Sequence, residues 1–312
     1  MPVLFRLLAL ALRLAIVAVP ASPAEPARAS NRVLLALYYA WFSPENFGPG
    51  LTSDTPVEPY ESDDPAVMAR QIEQARRAGV DGFIVAWLGP GNRTDANLAR
   101  MLQQAATRDF KVSVYVETDQ LGGPGEVAEA LSYLLGSYGS HPNFLRQDGR
   151  PVLFFWRQQA FDPGTWAGIR QQVDPTWGTA WIAEGTTTAY FNAFDGLHLF
   201  SIAWAPNPAV PLATWAGRTA AAEATYGPRV YVPTIMPGYD DLAVRGGFAR
   251  DRLGGAYYQQ TMEAALSTNP QWAVLITSWN EWPEGTQIEP SARYGNTYLD
   301  LTAAFAARLK MG

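Results

Sequence analysis

The chain has no cysteine. Disulfides, thiolate nucleophiles and cysteine-held metals are therefore excluded. Only two histidines, His141 and His198, occur in 312 residues. A Ser-His-Asp triad or a histidine-rich zinc site would need a better supply. No lysine- or arginine-rich run occurs and the net charge is −6, so nucleic acid is not an expected partner. Neither G-x-G-x-x-G nor a P-loop follows any strand-like run, which removes the usual signature of a doubly wound nucleotide-binding sheet.

What the chain does have is ordinary globular composition, 48% hydrophobic and 17% charged, with many aromatics: 11 Trp, 14 Tyr and 14 Phe. Its length suits one large domain with a full core. An aromatic excess can fill a core. It can also build sugar-stacking surfaces, because pyranose faces present C–H groups to aromatic rings.

The first residues stand apart. "LFRLLALALRLAIVAVPASPA" (4–24) is apolar, carries an early arginine and ends in small residues, with Ser22 and Ala24 at the −3 and −1 positions of a signal peptide. The reading is a leader over 1–24, a linker over 25–31 and one domain over 32–312, in a secreted or cell-envelope protein. The uncharged run after Arg13 falls short of the ~20 residues that a span needs, so no stable membrane insertion is expected.

The rest alternates between strand-like and helix-like runs. "RVLLALYYAW" (32–41) is strand-like, and "DPAVMARQIEQARRAGV" (64–80) is helix-like, with Asp64-Pro65 at a cap and first position. Further strands are expected at 79–87, 111–117, 150–156, 178–184, 195–204, 229–235 and 271–279. Helices are expected at 95–109, 124–139, near 163–173, near 211–226, at 255–267 and at 296–310. Many of these strands are continuous apolar runs, as when both faces of a sheet are covered. About eight β–α units over roughly 280 residues predict an α/β fold, a single-domain (β/α)8 TIM barrel.

Active sites of such barrels lie at the C-terminal ends of the strands. Those ends supply Tyr39 and Trp41, Trp87, Glu117, Trp156 and Arg157, Glu184, Trp204, Tyr239 with Asp240 and Asp241, then Glu281 and Glu284. Carboxylates for proton transfer and aromatics for a sugar are the inventory of a glycosidase. Single tryptophans can equally finish strands as plugs. A carboxylate inside a barrel mouth is harder to explain away, since it is costly unless solvated or used. In Trp282-Pro283-Glu284-Gly285, Pro and Gly stand where a tight turn wants them. That turn brings Glu284 back toward Glu281. Two neighbouring carboxylates split their pKa values into an acid and a base. Glu289 reads as a surface residue.

"ITSWNEWPEGTQIEP" (276–290) resembles the signature of glycoside hydrolase family 99, the endo-α-mannosidases. "LYYAWF" (37–42), the segments 60–87 and 137–156, "VPTIMPGYDDLAVR" (232–245) and "GGAYYQQTMEAAL" (254–266) resemble further parts of the family, in order. The resemblance implies a (β/α)8 barrel that cleaves internal α-mannosidic bonds with retention and without metal or organic cofactor. It implies Glu281 as the base acting on the sugar's own 2-hydroxyl. Glu284 becomes the acid/base at the leaving oxygen, protonated near neutral pH while Glu281 is ionised. Tyr39, Trp41, Trp87, Glu117, Tyr239 and Asn280 then serve as substrate-binding residues for an oligo- or polysaccharide. The chain departs from the pattern at Pro283, which stands in place of a histidine, and at Glu117-Thr118-Asp119 in place of Glu-Pro-Tyr, so its subsite contacts differ. A barrel that binds glycans without hydrolysis, and an enzyme of polysaccharide assembly, are the alternatives.

Overall fold

The computed structural model describes residues 31–311. The expected leader and all but the last residue of the linker lie outside the described residues. Eight parallel strands form the barrel: β1 Val33–Tyr38, β2 Gly82–Trp87, β3 Lys111–Glu117, β4 Arg150–Trp156, β5 Ala180–Glu184, β6 Gly196–His198, β7 in two pieces (Val230–Val232 and Thr234–Ile235) and β8 Ala273–Ile276. β8 pairs with β1, Ala273 opposite Val33. The first piece of β7 pairs with β6 and the second with β8, so the seventh strand closes the ring. Pro233 divides it because proline has no N–H for the ladder. The Pro233 carbonyl still accepts from Leu275 N at 3.0 Å.

The outer helices are α1 Pro65–Arg77, α2 Arg93–Ala105, α3 Pro124–Tyr138, α4 Pro163–Val173, α5 Ala209–Tyr226, α6 Ala256–Ser267 and α7 Thr297–Met311. A 3-10 turn, Thr188–Asn192, takes the place of a helix between β5 and β6. The caps explain the helix starts. Asp64 accepts from Ala66 N, Asn92 from Thr94 N and Asp95 N, and Asp162 from Gly164 N and Thr165 N. The cap at Asn92 starts α2 earlier than the expected 95. β6 is shorter than the expected run to 204: the chain leaves the ladder after His198, and Trp204 stands exposed in the loop beyond.

Side-chain parity sorts the core into two layers. Leu35, Leu37, Tyr39, Ile84, Ala86, Tyr115, Val152, Phe154, Ala180, Ile182, Val232, Ala273 and Leu275 pack together inside the ring. Their chain neighbours, such as Ala36, Tyr38, Phe83, Val85, Trp87, Val114 and Trp181, pack outward against the helices. Alternation in a strand makes this unavoidable. It also decides which strand ends can face the barrel mouth.

Candidate active site

After β8 the chain reverses sharply. Gly285 N donates to the Trp282 carbonyl at 3.1 Å, with Pro283 and Glu284 inside the turn, and Thr286 N donates to the Glu281 carbonyl at 3.3 Å. Gly285 has φ +60°, and a Cβ there would come 3.0 Å from the Asp240 Cβ and the Ser53 hydroxyl. The positive φ favours glycine, and the close neighbours leave little room for a side chain. Glu281 N donates to Ser278 Oγ at 2.7 Å, and Asp240 N to the Glu284 carbonyl at 2.7 Å. The two carboxylates are thus held on adjacent turns at the end of the last strand.

Both side chains are nearly enclosed. Glu281 Oε2 and Glu284 Oε2 are buried and have no hydrogen-bond partner. Buried carboxylate oxygens of this kind are normally satisfied, so they mark where a ligand's polar groups would dock. Arg245 Nη1 donates to Glu284 Oε1 at 2.5 Å. Burial raises the pKa of Glu281 well above the usual carboxylate range; the neighbouring Glu284 and Glu117 add to this and Arg245 opposes it. Burial raises Glu284 as well, but its direct bond to Arg245 pulls the other way. Both carboxyls are thus raised, and the arginine favours the charged form of Glu284 while Glu281 stays buried among acids.

Four of the expected binding residues gather around the pair. Tyr39 is buried close enough to Glu281, Glu117 and Glu284 for all three to raise its pKa, after burial itself. The Trp41 ring lies 4.9 Å from that of Tyr39. Tyr239 Oη donates to Asp241 Oδ2 at 3.0 Å, and its ring stacks on Phe248 at 4.8 Å. Glu117 sits at the inner end of β3, and burial, then Asp119 and Glu284, push its pKa to about 8, against Arg157. Below that pH it is a neutral hydrogen-bond donor. Glu117→Gln, which keeps a neutral amide there, should hold kcat/KM near that of the parent at pH 6. Glu117→Ala should lose about 3–10-fold, the usual worth of one uncharged hydrogen bond. Equal losses in the two variants would show that Glu117 acts as a charge.

Three expectations need correction. Trp87 is fully buried in the outer layer, where its Nε1 donates to Asp95 Oδ1 at 3.0 Å. It follows Ala86, which faces inward, so parity points the indole toward the helices and away from the mouth. Asn280 is also fully buried. Its Oδ1 accepts from Tyr39 N at 2.7 Å, and its Nδ2 donates to the Tyr39 carbonyl at 2.9 Å and to Tyr60 Oη at 3.1 Å. Both amide hydrogens are committed to the protein, so Asn280 clamps Tyr39 and does not reach a sugar. Glu289 is buried, not on the surface. It accepts from Gln71 Nε2 at 2.6 Å and Tyr60 Oη at 2.9 Å.

Sequence reasoning missed Arg245, Tyr60 and Tyr115, the last buried near enough to Glu184, Glu117 and Glu284 for all three to raise its pKa, after burial itself. Arg245 ends a one-turn helix, Leu242–Arg245, in the segment after β7, where an arginine ordinarily reads as solvated surface. Tyr60 lies in the long connection between β1 and α1, which carries no periodic signal. Tyr115 was legible, because it has the inward parity of Glu117. Among the described residues no group of three or more acidic, histidine or cysteine side chains is placed to hold a metal ion, and no helix is long and apolar enough to cross a membrane.

The sequence profile described as glycosyl hydrolase family 99 matches residues 45–304. The chain is 27% identical to the glycoprotein endo-alpha-1,2-mannosidase of Rattus norvegicus over 273 residues, which is 77% of this chain and 58% of the relative. It is 26% identical to the glycoprotein endo-alpha-1,2-mannosidase-like protein of Homo sapiens over 270 residues, 78% of this chain and 58% of the relative. The chain thus spans a little over half the length of these curated relatives. The solved structure of a family 99 endo-alpha-mannosidase from Bacteroides thetaiotaomicron, in complex with bis-tris propane, superposes with a TM-score of 0.78. Its identity is 25%, and the match covers 90% of this chain and 98% of that one.

Proposed function

The chain belongs to glycosyl hydrolase family 99, and we propose that it cleaves α-mannosidic bonds within an oligo- or polysaccharide, with retention, through Glu281 and Glu284. The observation that carries the reading is the pair itself. Two carboxylates stand on consecutive turns at the C-terminal end of β8, each with a buried, unpartnered oxygen, beside Tyr39 and Tyr239. The relatives' names, as endo-alpha-1,2-mannosidases, supply the bond. Export by a leader over residues 1–24 is part of the same proposal.

The chemistry needs one base and one acid. Glu281 takes the proton of the sugar's 2-hydroxyl, whose oxygen attacks the anomeric carbon and closes a 1,2-anhydro ring. Glu284 gives its proton to the departing glycosidic oxygen. Water then opens the ring: Glu284 takes a proton from the water and Glu281 returns one to the 2-oxygen, so both groups end as they began. This cycle starts from ionised Glu281 and protonated Glu284. In the ligand-free protein burial favours the neutral form of Glu281, and Arg245 favours the charged form of Glu284. Contact of the substrate with the two unpartnered oxygens would shift that balance.

The direct test is product mapping on defined α-1,2-linked mannan oligosaccharides. Internal cleavage should release an oligosaccharide whose new reducing end first appears as the α-anomer. Release of single terminal mannose units, or a first-formed β-anomer, would reject endo action or retention respectively.

A further inference from the structure

We propose that Glu289 is a positioning residue for the reaction: it fixes Tyr60, which fixes Asn280, which holds Tyr39 and the Glu281 turn in place. The inference rests on the reading of Glu281 and Glu284 as the reacting pair.

The wiring follows from which groups can only donate. Asn280 Nδ2 and Trp282 Nε1 both approach Tyr60 Oη, at 3.1 and 3.3 Å. Amide and indole N–H groups have no lone pair to offer, so the tyrosine oxygen accepts from both. Its own hydrogen must then find an acceptor, which is Glu289 Oε2 at 2.9 Å. The other carboxylate oxygen is held in the same way. Tyr38 Oη donates to Gln71 Oε1 at 2.7 Å, which turns the amide so that Nε2 donates to Glu289 Oε1 at 2.6 Å. The chain of bonds leaves β1 at its last residue, Tyr38, and returns at the next, Tyr39, whose main-chain N and O are both clamped by Asn280. Every side chain on this path is buried, so a lost member leaves its neighbours' polar groups short of a partner.

The path ends at the chemistry on both sides. Asn280 directly precedes Glu281, and Trp282 directly follows it. Tyr39 lies beside Glu281, Glu117 and Glu284. A shift of Tyr60 therefore moves one wall of the site and the flanks of a reacting carboxylate together. Small displacements of this kind cost rate much more than they cost binding. Burial pushes the pKa of Glu289 to about 7, while Gln71, Tyr60 and Arg70 favour its charged form. The donors facing it are thus arranged for a carboxylate.

The full chain, assayed on the oligosaccharide cleaved in product mapping, tests this with three variants. Tyr60→Phe keeps the ring and removes the junction. Its kcat should fall about tenfold or more while KM stays within about twofold. Glu289→Leu, which removes the acceptor of the Tyr60 hydrogen, should lower kcat about as much, again with KM within about twofold. Glu281→Gln, run alongside, separates the two ideas. If Glu281→Gln is inactive while Tyr60→Phe loses only melting temperature and keeps kcat, the positioning role is overturned and the network is structural. If Glu281→Gln is fully active, the assignment of the pair fails and the positioning role fails with it.

Discussion

Glutamine in place of Glu281 should lower kcat by about 10²–10⁴-fold on α-mannosides with good and poor leaving groups alike. Glutamine in place of Glu284 should cost as much on the natural glycan, but a good leaving group should restore its bond-breaking step. The difference follows from what each group does. A poor leaving oxygen needs the proton from Glu284, and an activated one does not. Activation of the 2-hydroxyl needs Glu281 whatever departs. The pH profile should carry the same signature. Burial raises both carboxyls above the ordinary range, and Glu281 must be ionised to act. Activity should therefore rise with pH through a limb well above 4.5, and the two limbs of the bell belong to the pair as a unit. Rates of both variants on activated and natural substrates decide the roles. Identical responses to leaving-group quality would sink the assignment, and full activity in both variants would place the chemistry elsewhere.

The second large effect belongs to the opposite end of the barrel. Asp195→Ala should destabilise the fold by about 3 kcal/mol, the low end of the cost of breaking a buried ion pair, because Arg170 keeps Asp174. Asp195 Oδ1 accepts from Arg150 at 2.6 Å, and its Oδ2 accepts from Arg170 at 3.3 Å and from Trp181 N at 3.0 Å. Arg170 is buried, with the Trp177 and Trp181 rings 4.1 and 4.4 Å from its guanidinium. Burial, before anything else, pulls its pKa down, against Asp195 and Asp174. Removal of Asp195 leaves Arg170 with Asp174, at 3.2 Å, as its one remaining carboxylate, beside the Ala193 and Thr179 carbonyls at 3.3 and 2.9 Å. Calorimetry should show a melting temperature lower by about 10 °C, at a few degrees per kcal/mol for a domain of this size. The activity of the folded fraction should not change, since the N-terminal face of such a barrel serves stability. A loss below about 1 kcal/mol would mean that Arg170 finds water or another partner.

Much of the molecule is written in local pattern. Alternating apolar runs and capped helices specify eight strands and their order. Asp64-Pro65 places the start of α1. Pro283 and Gly285 specify the turn that carries Glu284, because a missing N–H and a positive φ act within a few residues. Closure of the ring through β7 also follows from the strand count, once eight strands are recognised.

Other features need the third dimension. Trp87 and Tyr39 look alike as aromatics at strand ends, yet one faces the helices and the other faces the mouth. Parity was readable along each strand, but only the closed ring says which parity is inside. Asn280 looked like a sugar ligand until Tyr39, distant in sequence, took its amide on both sides. Glu289 looked exposed because nothing in 286–292 covers it; the cover is Tyr60, from the β1–α1 connection, and Gln71 of α1. Arg245 bonds to Glu284 and favours its charged form, although it comes from a one-turn helix without pattern. Backbone geometry is governed by interactions between residues close in sequence, so the chain itself states it. The charge state of a buried carboxyl depends on what lies within a few ångströms in space, and the tertiary fold alone determines those neighbours.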